Sequence, residues 1–127
     1  MVILGIDYGA AKTGVALATT ILAEPLGVIR HRTDKELLQK LSVYVDKYKA
    51  EKLVVGVSEG KMGEKQRNIA KQLQEIVGIK VDTSDETLST YDAHVYSEKS
   101  GMKRIKRKKM EDAYAAAIML QGYLDNL

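Results

Sequence analysis

Three acidic residues hold the chemistry this sequence offers most clearly. Asp7 stands between two glycines in Gly5-Ile6-Asp7-Tyr8-Gly9, directly after the apolar run Val2 to Ile6. Its carboxylate is thereby fixed to rigid backbone with little steric cover. Glu86 lies in Ser84-Asp85-Glu86-Thr87, just past the run Ile79 to Thr83, and Asp112 falls in the first turn of the last periodic segment. Oxygen donors on three separate elements, with no cysteine and only His31 and His94 as imidazoles, suit Mg²⁺ or Mn²⁺ and not zinc. Two such ions about 3.5 to 4 Å apart would activate a water and stabilise the leaving oxygen of an in-line phosphoryl displacement, with no covalent nucleophile needed.

Each acid also has a plainer use. Asp7 fits a strand-ending turn whose carboxylate bonds nearby amides. Asp85 and Glu86, and separately Asp112, fit the start of a helix, where a carboxylate gains about 0.3 to 1 kcal/mol from the dipole. Alanines at 115 and 116, on the face of Asp112, would let that helix lie close to a sheet and aim the acid toward the strand ends. His31 and His94 read as surface or helix residues outside any acidic cluster and receive no role.

The net charge is only +3, but six of the seven residues from Lys103 to Lys109 are basic: Lys103, Arg104, Lys106, Arg107, Lys108 and Lys109. Such a stretch suits a polyanion, because neutralising phosphates releases condensed counterions; a solvated loop is the ordinary alternative. Two glycine-containing loops, residues 9–14 and 56–63, bring Lys12 and Lys61 where a substrate phosphate could meet them. Neither loop ends in the Gly-Lys-Ser/Thr of a P-loop, which disfavours nucleotide hydrolysis of that kind.

The elements that must position these groups follow from periodicity. Val2 to Ile6 reads as a buried strand, Thr13 to Ala18 as its hairpin partner and Gly27 to Arg30 as a third strand after Pro25. Thr33 and Glu36 form a capping-box pattern ahead of Leu37, Leu38, Leu41, Val45 and Tyr48 at helical spacing. Lys52 to Val57 is a further strand, followed by a loop over 58–64 and a helix with Ile69, Leu73, Ile76 and Val77 that Gly78 closes. Residues 79–83 give a fifth strand. A helical stretch through Tyr91, Val95 and Tyr96 precedes the basic loop, and Met110, Ala113, Ala117, Leu120 and Leu124 describe the last helix. A hairpin followed by alternating strands and helices predicts an α/β domain with a mixed sheet covered by helices. A length of 127 residues favours one domain, 1–127. The absence of a signal-peptide pattern or apolar span predicts a cytoplasmic protein.

At these same residues the sequence resembles the YqgF-type, RuvX-like family of Holliday junction resolvases, also described as pre-16S rRNA nucleases. LGIDYGAAKTGVALA resembles the family's first hairpin, VVGVSEGKMGE its strand and glycine loop, SDETLST its Asp-Glu-Arg-Leu-Thr/Ser-Thr motif, and MEDAYAAAIMLQGYL its Asp-x-x-Ala-Ala helix. The resemblance spans almost the whole chain. It implies a ribonuclease H-like fold with a five-stranded mixed sheet, and a nuclease that leaves 5′-phosphates. It also places Asp7, Glu86 and Asp112 on the family's three acidic metal-binding positions. Thr87 stands where the family has arginine, and Ser58 where its glycine loop has proline. The expected partner is a nucleic acid, an rRNA precursor or a branched DNA, and the expected protein a monomer or homodimer. A nucleic-acid-binding module of the same fold with impaired catalysis is the alternative. An actin-like phosphotransferase, which also opens on an Asp-x-Gly hairpin, would need a second domain.

Overall fold

The computed structural model describes residues 1–85 and 109–127. Glu86, the expected helical stretch with His94, and Lys103, Arg104, Lys106, Arg107 and Lys108 lie outside the described residues. Five strands form one sheet in the order β3-β2-β1-β4-β5: β1 (Ile3–Asp7), β2 (Lys12–Ala18), β3 (Ala23–Arg30), β4 (Lys52–Val57) and β5 (Lys80–Asp85). The first three strands are antiparallel neighbours, whereas β4 runs parallel to β1 and β5 parallel to β4. The described helices are α1 (Asp34–Tyr48), α2 (Gly60–Val77) and α3 (Glu111–Asp125). None of them is long and apolar enough to cross a membrane.

Side chains alternate across the sheet, so each strand feeds two cores. Leu4, Ile6, Val15, Leu53 and Val55 pack with Leu37, Leu41, Ile69 and Leu73 beneath α1 and α2. Ile3, Ala16, Ala18 and Val54 pack with Ala116, Ala117, Met119 and Leu120 of α3 on the opposite face. Leu4, Leu37, Leu41, Leu53, Leu73 and Leu120 are fully buried, each contributing about 1.5–3 kcal/mol relative to an exposed position.

The helix ends follow the local chemistry. Thr33 caps α1 by accepting from the Glu36 amide at 3.1 Å, and Glu36 in turn accepts from the Arg32 amide at 2.8 Å; such a cap stabilises by about 1 kcal/mol. Gly78 ends α2 at φ 68°, the left-handed geometry expected of it. The far end of α3 is tied down twice. Gln121 accepts from the Ala23 amide and donates to the Ile21 carbonyl, both at 2.9 Å. Tyr123 donates to Asp82 at 2.8 Å, which is the main reason the Asp82 carboxyl titrates below its ordinary range.

Three boundaries differ from the sequence reading by two residues or more. β3 begins at Ala23 and includes Pro25, which pairs with Ala16 at a register shift between Val15 and Ala16; an edge strand at a bulge tolerates the missing amide. α2 begins at Gly60, so Lys61 belongs to a helical turn and not to a loop. β5 runs on to Asp85, which pairs with Val57, so the strand is two residues longer at this end.

Candidate nuclease site

Asp7 is the last residue of β1 and pairs with Gly14 of β2. Because Ile3 packs against α3 while Leu4 and Ile6 pack on the other side, the two-residue period turns Asp7 toward the α3 face. The turn that follows requires glycine: a Cβ on Gly9 would stand 2.4 Å from the Lys12 carbonyl oxygen.

A buried polar cluster holds that turn from the opposite face. Thr13 is fully buried with Oγ1 2.9 Å from Nε2 of His31, and it also accepts from the Gly9 amide at 3.4 Å. The His31 amide donates to the Ala11 carbonyl at 3.0 Å, and the imidazole stacks on Tyr8 at 6.1 Å between ring centroids. Tyr8 donates to Asp34 at 2.6 Å. Burial first, and then the Asp34 carboxylate, push the Tyr8 phenol up to about 12. The sequence reading placed His31 on the surface or in a helix; instead it is only 5% exposed, between β3 and α1. Its position two residues ahead of the Thr33 cap was the one local hint. Nδ1 of His31 finds no hydrogen-bond partner among the described residues.

Asp112 approaches from the other side of the sheet, on the first turn of α3. A Cβ on Gly14 would lie 1.9 Å from the Asp112 carbonyl oxygen and 2.9 Å from the Ala113 nitrogen. Further along, a Cβ on Gly5 would meet Leu120 Cβ at 2.8 Å. Gly5 and Gly14 thus make the sheet side thin, while Ala116 and Ala117 do so for the helix. Ala115, which the sequence reading also assigned to that contact, is only half-buried. Gly14 is thus both the cross-strand partner of Asp7 and the close neighbour of the Asp112 backbone. The Lys12 ammonium stands 3.3 Å from Asp112 Oδ2.

β1, β4 and β5 are parallel, so Asp7, Val57 and Asp85 leave the sheet at a common end. Glu86 is the next residue in sequence. Among the described residues no three His, Asp or Glu side chains gather into a metal-binding group, and the third acid of the set is not one of them. A crevice at this end is lined by Val57, Ser58, Arg67, Thr83, Ser84 and Asp85. Ser58 closes it through Gln66, donating from its amide at 2.7 Å and from Oγ at 3.1 Å to Gln66 Oε1. A proline at 58 could not make the first of these bonds. The serine therefore has a structural use, one that sequence reasoning missed because Gln66 reads as a surface helix residue. Lys61 and Lys109 are exposed, Lys61 on a first turn of α2 that holds no acid.

The model of the RuvX family, described as Holliday junction resolvase, matches residues 1–126. This chain belongs to the RuvX family. A relative from Anaeromyxobacter sp. (strain Fw109-5), named "Putative pre-16S rRNA nuclease", is 36% identical over 130 residues that cover 96% of this chain and 95% of the relative. One of the same name from Caldanaerobacter subterraneus subsp. tengcongensis is 37% identical over 135 residues, covering 99% and 97%. Among solved structures, T. thermophilus RuvC in complex with a Holliday junction substrate aligns with a TM-score of 0.67 at 16% identity, covering 99% of this chain and 96% of RuvC. The fowlpox virus resolvase with Holliday junction DNA aligns with a TM-score of 0.67 at 13% identity, covering 99% and 98%. These likenesses show the fold: the RuvX chain has the ribonuclease H-like mixed sheet that the resemblance implied.

Proposed function

We propose that this RuvX protein is a divalent-metal-dependent nuclease of the cytosol, a single domain over 1–127, that hydrolyses phosphodiester bonds of structured nucleic acid. The observation that carries the reading is that Asp7 pairs with Gly14, and Gly14 lies against the Asp112 backbone, at the sheet end where β5 also finishes with Asp85; Glu86 follows in sequence. The donor chemistry fits a hard cation. Asp7 and Asp112 come from separate elements, no thiol competes, and Asp112 already holds a positive charge in the Lys12 ammonium. Asp7, Glu86 and Asp112 would hold Mg²⁺ or Mn²⁺, two ions in the full site, and these supply an activated water and stabilise the leaving oxygen.

The chain itself fixes where that chemistry takes place. The glycine turn at Gly9 and the Thr13–His31 pair hold the Asp7 backbone still, while Gly14 sets the height of Asp112 above the sheet. Preorganisation of this kind matters because a misplacement of about 1 Å can cost about a hundredfold in rate. Lys12 beside Asp112 and Lys61 on the first turn of α2, with Lys103, Arg104, Lys106, Arg107, Lys108 and Lys109 from the segment before α3, would grip phosphates without reading bases.

The names of the relatives at 36% and 37% identity favour a pre-16S rRNA substrate, with four-way DNA as the other structured candidate. The test is Mn²⁺-dependent cleavage of precursor-like RNA, single-stranded RNA and junction DNA by native protein and Asp7→Asn. Asp7→Asn should lose at least about a hundredfold in turnover and keep its nucleic-acid affinity. Undiminished turnover in that variant refutes the assignment. Tight binding without cleavage by the native protein would establish the impaired binding module instead.

A further inference from the structure

We propose that Lys12 is a built-in counter-ion for Asp112, displaced when a divalent cation binds and then free to take a substrate phosphate. This rests on the reading of Asp112 as a metal-holding residue. Lys12 is the first residue of β2, its backbone paired with Arg30 and its carbonyl packed over Gly9. The root of the side chain is therefore fixed while its head is not. The ammonium lies 3.3 Å from Asp112 Oδ2, and the two side chains are 49% and 33% exposed. A pair that wet is weakly bound, so a doubly charged ion with inner-sphere oxygen contacts outcompetes it at the same carboxylate.

Two consequences follow from this exchange. Before metal arrives, the ammonium offsets the like charges that Asp7 and Asp112 would otherwise bring to one place across Gly14. After metal arrives, the displaced ammonium stays tethered at the rim with its three donors released from Asp112. Its most favourable neighbour is then a phosphate oxygen of the strand to be cut. Lys12 would thus hold apparent metal affinity down and couple metal uptake to substrate uptake.

The test reads Mn²⁺ binding directly, by loss of the free-ion electron paramagnetic resonance signal on titration into native protein, Lys12→Met, Lys12→Arg, Asp112→Asn and the Lys12→Met/Asp112→Asn double variant. Lys12→Met should bind Mn²⁺ about two- to tenfold tighter than native, Lys12→Arg close to native, and the tightening should vanish in the Asp112→Asn background. At saturating Mn²⁺, Lys12→Met should raise KM for the nucleic acid with little change in kcat. Unchanged or weaker Mn²⁺ binding by Lys12→Met, with binding weakened in Asp112→Asn, overturns the counter-ion and leaves the metal reading standing. Tighter Mn²⁺ binding with an unchanged KM overturns the phosphate hand-over. Native protein that takes up no Mn²⁺, or Asp112→Asn that binds like native, removes the metal reading and this proposal together.

Discussion

The carbonyl of Asp112 rests on the Cα of Gly14, with no room for even one methyl group between helix and strand. Gly14 also faces Asp7 in the hairpin register, so one small residue borders both an acid near the start of the chain and the backbone of one near its end.

Gly14→Ala is accordingly a test of geometry more than of chemistry. The added methyl meets backbone, which cannot swing away, so α3 must lift or the hairpin must shift. The expected cost is about 1–3 kcal/mol, seen as a lower Tm. Cleavage should fall by more than the small unfolded fraction explains. A variant with native Tm and native turnover would show that the two acids do not depend on this contact.

Tyr8 gives the fold an alkaline limit. Its phenol is pushed up from 10.0 to about 12, so the folded state favours the neutral form. The stability this contributes is complete below pH 10 and is lost as pH rises from 10 toward 12. Tyr8→Phe should lose about 0.5–1.5 kcal/mol at neutral pH, the worth of its bond to Asp34, and should show a shallower decline above pH 10. Thermal melts across that range measure both, and parallel alkaline declines in the two proteins would disprove the assignment.

The basic segment before α3 makes a prediction about salt. If its residues neutralise phosphates, each of Lys106→Ala and Lys109→Ala should reduce the slope of log affinity against log salt by about 0.7 to 0.9. The weakening should be uniform across RNA sequences. Fluorescence anisotropy over a salt series reads the slope, and unchanged slopes would place this stretch outside the interface.

What could be read from the sequence followed the strength of its patterns. The apolar run before Asp7, the Thr33 cap and the Gly78 stop each have a local cause, and the structure realises each of them. The end of β5 does not: Ser84 and Asp85 carry no apolar alternation, and pairing with β4 extends the strand through them. The early start of α2 was hidden because Gly60 and Gly63 read as loop, whereas a Cβ on Gly63 would strike the Ser58 carbonyl at 2.0 Å. His31 was misjudged because its burial depends on Tyr8 and Thr13, which precede it by more than a dozen residues. The close seating of α3 on the sheet follows from its alanines, and the glycines of the sheet contribute to it as well.

The seating of the last helix on the first hairpin also bears on synthesis. A polypeptide still emerging from the ribosome possesses Asp7 but has no Asp112, and α3 cannot clasp the β2–β3 turn until Gln121 has been added. The two faces of the sheet are therefore covered in order, the α1 and α2 side first and the α3 side only once the last helix has been made.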